Sequence, residues 1–543
     1  MNLYSKTIII TTLFISVFTF AAVEPWAVLL MQFFIFAPLI AYMYANGHIK
    51  FTALNKILFL FFIACLLLTV LQCLNEKTIL DTPGYYPLTL SRLYSVNEIV
   101  FMFTVFAASL ACAGVFDNFK SVKTLCLCLT VCGLGVITIS NIFVRNEYIL
   151  LFRKTSTVIG SFGPFVNRNH AGIFLNMCFF ASLGYFLQSF IDNKEKNIGK
   201  YLLSFAVLAI LAFGIISTFS RGSMMALTVT SVLFLFVYSL YFFKTKNAKI
   251  ITATGLIILS IVLFKAVSIN VNAINKFTQR SGGYSEAVRI ELYKSAVDMI
   301  QEYPTFGVGV GSFPLGIDNY FIKNVDGYID RLHNDWLEFV LGFGITGGLI
   351  LFITIILITY NIFNRLNKID DNKKKIVFLS LSASLFAMCL GSAVDFDFHI
   401  PANALTFFIV FGALSSETFG WRISFNKSFF IKTAITVLAV FSIMFYFRYT
   451  LAWHNFFMGT SRVYESKADY FERGFYYYPS APYAERLAIA YYNAFVSEHD
   501  ELKKTEYSDK LDNLTSKYLK RYPANKNLRE FKYISDNIKT TMR

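Results

Sequence analysis

The sequence predicts an all-α, polytopic integral membrane protein with about 12–13 transmembrane helices, and two observations carry that prediction. Of its 543 residues, 56% are hydrophobic and only 15% are charged, where soluble chains carry about a quarter. The apolar residues also come in blocks of about 20, the length of helix that crosses a bilayer core. Only helices and closed barrels satisfy their backbone groups in lipid. Barrel strands would need short alternating segments, and the chain has none.

Taken in order, the predicted spans cover 7–23, 26–45, 55–73, 96–115, 123–144, 170–190, 201–218, 222–243, 249–268, 336–361, 376–394, 403–417 and 430–450. The first, with Lys6 ahead of an apolar run ending in Ala21-Ala22, has the look of a signal peptide. A second span follows at once, so it reads as a membrane helix. The twelfth is short. All eight cysteines fall in apolar segments, which leaves no disulfide framework for the external parts. Cys126 and Cys128 read as small core residues, too close together and too deep for a zinc site.

Orientation follows from lysine. With the N-terminus inside, the inner connections hold Lys50, Lys120, Lys123, Lys194, Lys196, Lys200, Lys244, Lys246 and Lys249. Further along they hold Arg365, Lys368, Lys373 to Lys375, Arg422, Lys427 and Lys432, the bias of cytoplasmic loops. Arginine behaves differently. Of eleven arginines before residue 451, only Arg365 and Arg422 lie inside, whereas Arg92, Arg145, Arg153, Arg168, Arg221, Arg280, Arg289 and Arg331 lie in outer loops and Arg448 near the outer end of the last span. Insertion rules disfavour that placement. A planar, permanently charged, bidentate fork suits phosphate oxygens, so the outer face reads as built for an anionic, phosphorylated partner. The alternative for each arginine is pairing with an external carboxylate such as Glu286, Asp318 or Asp330. The net charge of +15 is spread over short loops and forms no basic, aromatic-interleaved stripe, which argues against a nucleic-acid partner.

Four external elements carry the candidate chemistry. In the first, a Gly/Pro turn (Gly160 to Pro164) runs through Asn167, Arg168, Asn169 and His170 into a membrane helix. In the second, Thr218 to Ser223, Ser220 caps the eighth span and puts Arg221 in its first turn. Free N–H groups and the positive helix end already favour an anion there. The third is the long polar interruption at about 269–335. Ser285 to Tyr303 reads as an amphipathic helix with Val288, Leu292, Ala296, Met299 and Ile300 on one face and Arg289 beside it, ended by Pro304. Gly307, Gly309 and Gly311 follow. They lack the flanking strand and helix of a dinucleotide fingerprint and instead permit close backbone approach. Arg331 and His333 stand at the threshold of the tenth span, where Asp335 and Glu338 have capping-box spacing. On position alone, His333 is either a base or an interfacial residue. The fourth, Asp395-Phe-Asp397-Phe-His399-Ile-Pro401-Ala-Asn403, suits substrate contact or capping better than metal ligation.

Beyond Leu451 the chain turns polar, with 15 Lys/Arg against 12 Asp/Glu in residues 451–543. Its helical patterns, broken by Pro479, Pro482 and Pro523, resemble tetratricopeptide-type hairpins without a clean 34-residue repeat. The expected division is a transmembrane domain at 1–450 and an extracytoplasmic helical tail at 451–543.

Gly160…Asn167-x-Asn169-x-Ala171, Thr-Phe-Ser-Arg221-Gly, Arg289 leading to Pro304-x-x-Gly307-Val-Gly309, and His333-Asn-Asp-Trp-Leu-Glu338 followed by Gly344 and Gly347 succeed one another on one predicted face. Together they resemble the O-antigen ligase and O-antigen polymerase superfamily, which also includes bacterial protein O-oligosaccharyltransferases. The likeness covers about residues 90 to 420. It implies a GT-C-like, multi-span glycosyltransferase in the bacterial cytoplasmic membrane, working on its periplasmic side with neither metal nor cofactor. Such an enzyme takes a glycan from an undecaprenyl diphosphate carrier and inverts the anomeric centre. Carried over residue by residue, Arg221 and Arg289 grip the leaving diphosphate and His333 activates the acceptor hydroxyl. Asn167, Arg168, Asn169, Arg145, Arg153, Arg280, Arg331 and His399 are then candidates for substrate contact. The acceptor is a lipopolysaccharide core sugar, a second lipid-linked glycan or a protein Ser/Thr. The competing class is a transporter of lipid-linked or anionic glycans, which would place its charges near the bilayer midplane.

Overall fold

The computed structural model describes residues 2–77, 84–143, 148–149, 153–154, 160–191, 198–243, 245, 247, 286–317, 320, 329–422, 424–460, 462, 464–521 and 525–542. It is an all-α, multi-pass membrane architecture. Helices α1 (Asn2–Phe18), α2 (Pro25–Ala45), α3 (Ala53–Leu74), α4 (Arg92–Val115), α5 (Phe119–Phe143), α6 (Arg168–Phe190), α7 (Ile198–Ser217) and α8 (Arg221–Phe242) form the first part. After α9 (Glu286–Glu302) and the single turn α10 (Phe313–Gly316) come α11 (Asp335–Asn367), α12 (Asn372–Gly391), α13 (Pro401–Leu414) and α14 (Phe429–Thr460). Among the described residues, ten of these helices are long and apolar enough to cross a membrane, and the α1 segment Tyr4–Phe18 and α13 are shorter apolar helices. Each corresponds to a predicted span. The expected ninth span, 249–268, lies outside the described residues.

Burial separates the helices into centre and periphery. Helix α4 is enclosed along nearly its whole length, and small residues let its neighbours approach: Gly412 of α13 packs on the Ser109 carbonyl and on Cys112. By contrast α3, α7, α8 and α14 leave most of their apolar surface outward, as lipid-facing helices do. On one end of the bundle a short strand β1 (Ile49–Phe51) pairs antiparallel with Ser424–Asn426, Lys50 opposite Phe425. Lys6 meets Asp117 at 3.4 Å and Lys50 meets Glu417 at 3.8 Å at the same end. These are the connections that the lysine bias assigns to a single face, so the packing agrees with the span parity.

At the other end, α11 is kinked. Gly344 has φ +68° and ψ −171° within the helix, which frees backbone groups that a straight helix would satisfy. The glycine run fills them: Val308 N–H donates to Leu341 O and Gly309 N–H to Gly342 O, both at 3.1 Å, and Ile345 N–H donates to Pro304 O at 2.7 Å. Gln72 of α3 bonds the carbonyls of Phe306 and Gly342, each at 2.7 Å. Gly307 and Gly309 have positive φ and a Cβ on either would strike neighbouring atoms, so glycine is required for this approach. Helix α9 matches the expected amphipathic element, with Leu292, Ala296 and Met299 fully buried.

The tail forms α15 (Tyr464–Tyr477), α16 (Ala481–Ser497), α17 (Glu501–Arg521) and α18 (Lys526–Met542), each packed on its sequence neighbour. Tyr478 stacks on Tyr449 of α14 with ring centres 4.0 Å apart. Leu315 of α10 packs both on the tail and on the core beneath the glycine run.

Candidate functional site

The N-terminal ends of α6, α8, α11 and α13 gather at the glycine-run end of the bundle, and Asp395 lies where they meet. His333 Nδ1 is 2.9 Å from Asp395 Oδ1. Asn169 Nδ2 donates to Asp395 Oδ2 at 2.7 Å, and Arg289 Nη2 is 3.7 Å from the same oxygen. Arg289 Nη1 also donates to the Val394 carbonyl at 2.7 Å, while its buried Nε meets no partner among the described residues. Burial alone would push the Asp395 carboxyl up. The charges of His170, Arg289 and His333, with the His333 hydrogen bond, instead hold it well below the usual carboxylate range. Asp395 therefore stays an anion that orients an imidazole and a guanidinium together.

His333 itself has φ +58°, a left-handed backbone that a non-glycine residue adopts at a cost of about 1–3 kcal/mol. Tyr293 of α9 donates to its carbonyl at 2.7 Å. Asn334, not Asp335, caps α11, accepting from Leu337 N–H at 3.0 Å. The expected capping box between Asp335 and Glu338 is thus not formed. Asp335 instead accepts from Phe398 N–H at 2.8 Å and meets His399 Nδ1 at 2.7 Å, pinning the 392–400 loop to the first turn of α11.

A second histidine–aspartate pair sits beside the first. His170 Nδ1 is 2.8 Å from Asp397 Oδ1, and Asn403 Nδ2 donates to that oxygen at 3.0 Å. Burial, with Asp395 and Asp335 close by, pushes the Asp397 carboxyl up to about 6 despite the His170 bond. The Phe396 ring makes edge contacts with both imidazoles, 4.6 Å from His170 and 4.9 Å from His333.

Arg331 forms a third cluster. Its Nη1 donates to Glu338 at 2.9 Å and its Nη2 to Glu98 of α4 at 2.8 Å, and Leu332 N–H takes the other Glu338 oxygen at 2.9 Å. Here the carboxylate-pairing alternative applies. His399 Nε2 lies 3.5 Å from Glu98. Burial and Arg331 push the His399 imidazole down, but Glu98, Glu338 and Asp335 outweigh them and raise it above its ordinary value.

The remaining candidates sit at helix starts. Asn167 caps α6, accepting from Asn169 N–H at 2.9 Å, and Arg168 follows, buried and within electrostatic reach of Arg221. Ser220 caps α8 as expected, accepting from Ser223 N–H at 3.3 Å, and Ser223 Oγ donates to the Asn169 carbonyl at 3.1 Å. That bond ties the two helix starts together, and Gly222 packs against Val394, next to Asp395. Arg145 and Arg280 lie outside the described residues. Arg153 belongs to a two-residue strand pair with Tyr148–Ile149.

Sequence reasoning passed over Glu98 and the role of His170. A glutamate inside the apolar stretch of α4 was the available signal, since an ionisable group at membrane depth demands a partner. The His170–Asp397 pairing spans 227 residues and leaves no local trace. Residues 206–352 match the family model described as O-Antigen ligase, a stretch that includes Arg221, Arg289, Arg331 and His333. No curated protein matches the chain.

Proposed function

We propose that this chain, a member of the O-antigen ligase superfamily, transfers a glycan from an undecaprenyl diphosphate carrier to an acceptor hydroxyl, with inversion, at the extracytoplasmic face of a bacterial cytoplasmic membrane. The observation that carries the reading is the meeting of His333 and Arg289 on one buried carboxylate, Asp395, beside the Arg168–Arg221 helix starts. Asp395 engages Nδ1 and so makes Nε2 the basic nitrogen of His333. The acceptor oxygen attacks the anomeric carbon as its proton passes to Nε2. The bond from that carbon to the diphosphate oxygen breaks on the opposite face, and the electron pair leaves with the diphosphate. Arg289 and Arg221 offset the charge that develops there, a contribution of the order of 10²–10³ in rate per fixed donor. Arg168 and Asn169 line the same approach, and Arg331 and His399 brace the loop that carries Asp395.

Residues 1–450 form the transferring unit, and the tail at 451–543 works on the same outer side, where it favours a bulky acceptor. Lipopolysaccharide-core ligation is the leading case, with polymerisation or protein O-glycosylation as the alternatives. The charged groups gather at one end of the bundle, which favours an enzyme over a transporter. The test is purified protein in vesicles holding undecaprenyl-diphosphate-linked glycan and a candidate acceptor. The expected result is free carrier diphosphate and a product of opposite anomeric configuration. Retention of configuration would overturn the single-displacement mechanism, and movement of intact carrier-linked glycan across the vesicle without transfer would indicate a transporter. Surface glycans of a deletion strain separate the acceptors: unligated long chains mean a ligase, single repeats a polymerase, bare glycoproteins a protein transferase.

A further inference from the structure

Phe396, which touches His333, also walls a cavity of about 430 Å³ in which His333 takes no part. The cavity lies among the α1–α2 junction, α4, the start of α6, the 396–401 segment and α14. Its volume is at the lower end of the about 300–1,000 Å³ of small-molecule pockets. Four more aromatic rings line it, those of Phe101, Phe165, Tyr446 and Tyr449. Two of its lining residues, His170 and Asn97, each carry a buried polar atom, Nε2 and Oδ1, without a hydrogen-bond partner among the described residues. His170 is only 2% exposed, and its ring is fixed because Asp397 holds Nδ1.

These features exclude two ligand classes. A lipid tail would leave both orphaned atoms unsatisfied. A phosphate would face Glu98 and Asp330 in the wall, where the single guanidinium, Arg331, is already engaged by Glu98 and Glu338, and the two imidazoles, His170 and His399, by Asp397 and Asp335. An uncharged sugar ring meets every requirement. Its C–H faces lie on aromatic rings, and its hydroxyls satisfy an imidazole nitrogen and an amide oxygen. Nε2 can serve a hydroxyl as acceptor or, when protonated, as donor.

We infer that this cavity is a subsite for one uncharged sugar residue, with His170 as the residue that binds a sugar hydroxyl and Asn97 as its second polar contact. The inference rests on the glycan-transfer reading and extends it: the sugar ring and the diphosphate are received on different sides of Phe396. The ring belongs either to the acceptor or to the donor glycan.

Saturation-transfer NMR on the full chain in detergent, with methyl glycosides of neutral hexoses and N-acetylhexosamines as probes, tests binding without transfer. At least one probe should receive saturation at its ring C–H protons, the matching hexose 1-phosphate should not exceed it, and Val166→Trp, which fills the cavity, should abolish the signal. Asn97→Leu, a milder variant, should raise one KM by about tenfold, the loss of a single hydrogen bond, and change kcat less than threefold. If the acceptor KM moves, the ring is the acceptor's; if the carrier-linked donor KM moves, it is the donor's. Absence of probe saturation, or variants that bind and turn over as the wild type does, would overturn the subsite. Probe binding in a protein that transfers nothing would spare the subsite and sink the transferase reading.

Discussion

Two charged clusters, each built around an arginine and a histidine, lie on the same end of the bundle and are wired differently. Arg331 is held at 2.8 and 2.9 Å by two carboxylates, with His399 close by. Among the described residues, Arg289 has a single carboxylate, at 3.7 Å, and a buried Nε without a partner. The first arrangement uses its guanidinium up in joining α4, α11 and the 392–400 loop. The second leaves donor capacity in place next to an oriented imidazole. The same residue type thus has both ends of its guanidinium on carboxylates in one cluster and only a longer contact to one carboxylate in the other.

Substitutions can break this contrast. The largest expected effect is on transfer by His333→Ala, which should lose about 10²–10⁴ in kcat while carrier binding stays measurable. Transfer at the wild-type rate would remove His333 as the base. Next, Arg289→Lys and Arg221→Lys keep the charge but lose the fork. Each should lower the rate by about 10²–10³ with little change in melting temperature. Wild-type kinetics in either variant would take that residue out of the site. Arg331→Met should do the reverse, leaving Glu98 and Glu338 facing each other and costing about 3–5 kcal/mol of stability. A melting temperature equal to the wild type's would contradict the bracing role.

The smallest effect is in pH. A carboxyl raised from 3.8 to about 6, as Asp397 is, contributes stability that is complete below pH 3.8 and lost as pH rises through about 6. Asp395, depressed, acts in the opposite sense, its contribution fading as pH falls below 3.8. The difference in melting temperature between wild type and Asp397→Asn should therefore shift across pH 3.8 to 6 in favour of the variant. A constant difference would mean that Asp397 keeps an ordinary titration.

The helical bundle was legible because span length and lysine bias are properties of short windows. Block length located α2 to α8, and even the short α13 came through. The outward placement that the lysine bias predicts for Arg289 and His333 singled them out for the same reason. What stayed hidden is pairing at long range. Asp395 could be read as a carboxylate at a membrane boundary, but its meeting with Asn169, 226 positions away, is a product of helix packing. The Arg331 brace was half visible, since Glu98 interrupts an apolar window. The capping-box reading at Asp335 failed because tertiary partners outcompeted the local ones: Glu338 turned to Arg331 and Leu332, and Asp335 to His399 and Phe398. The kink at Gly344 was also unforeseen, because glycine spacing alone does not say which carbonyls another segment will capture.

The left-handed backbone at His333 has a consequence for anyone redesigning this protein. Folding preference at that position favours glycine or asparagine, so a procedure that ranks residues by thermal robustness would discard the imidazole first. If His333 is the base proposed above, position 333 must be held fixed before any stabilising search begins, since durability and turnover there ask for different amino acids.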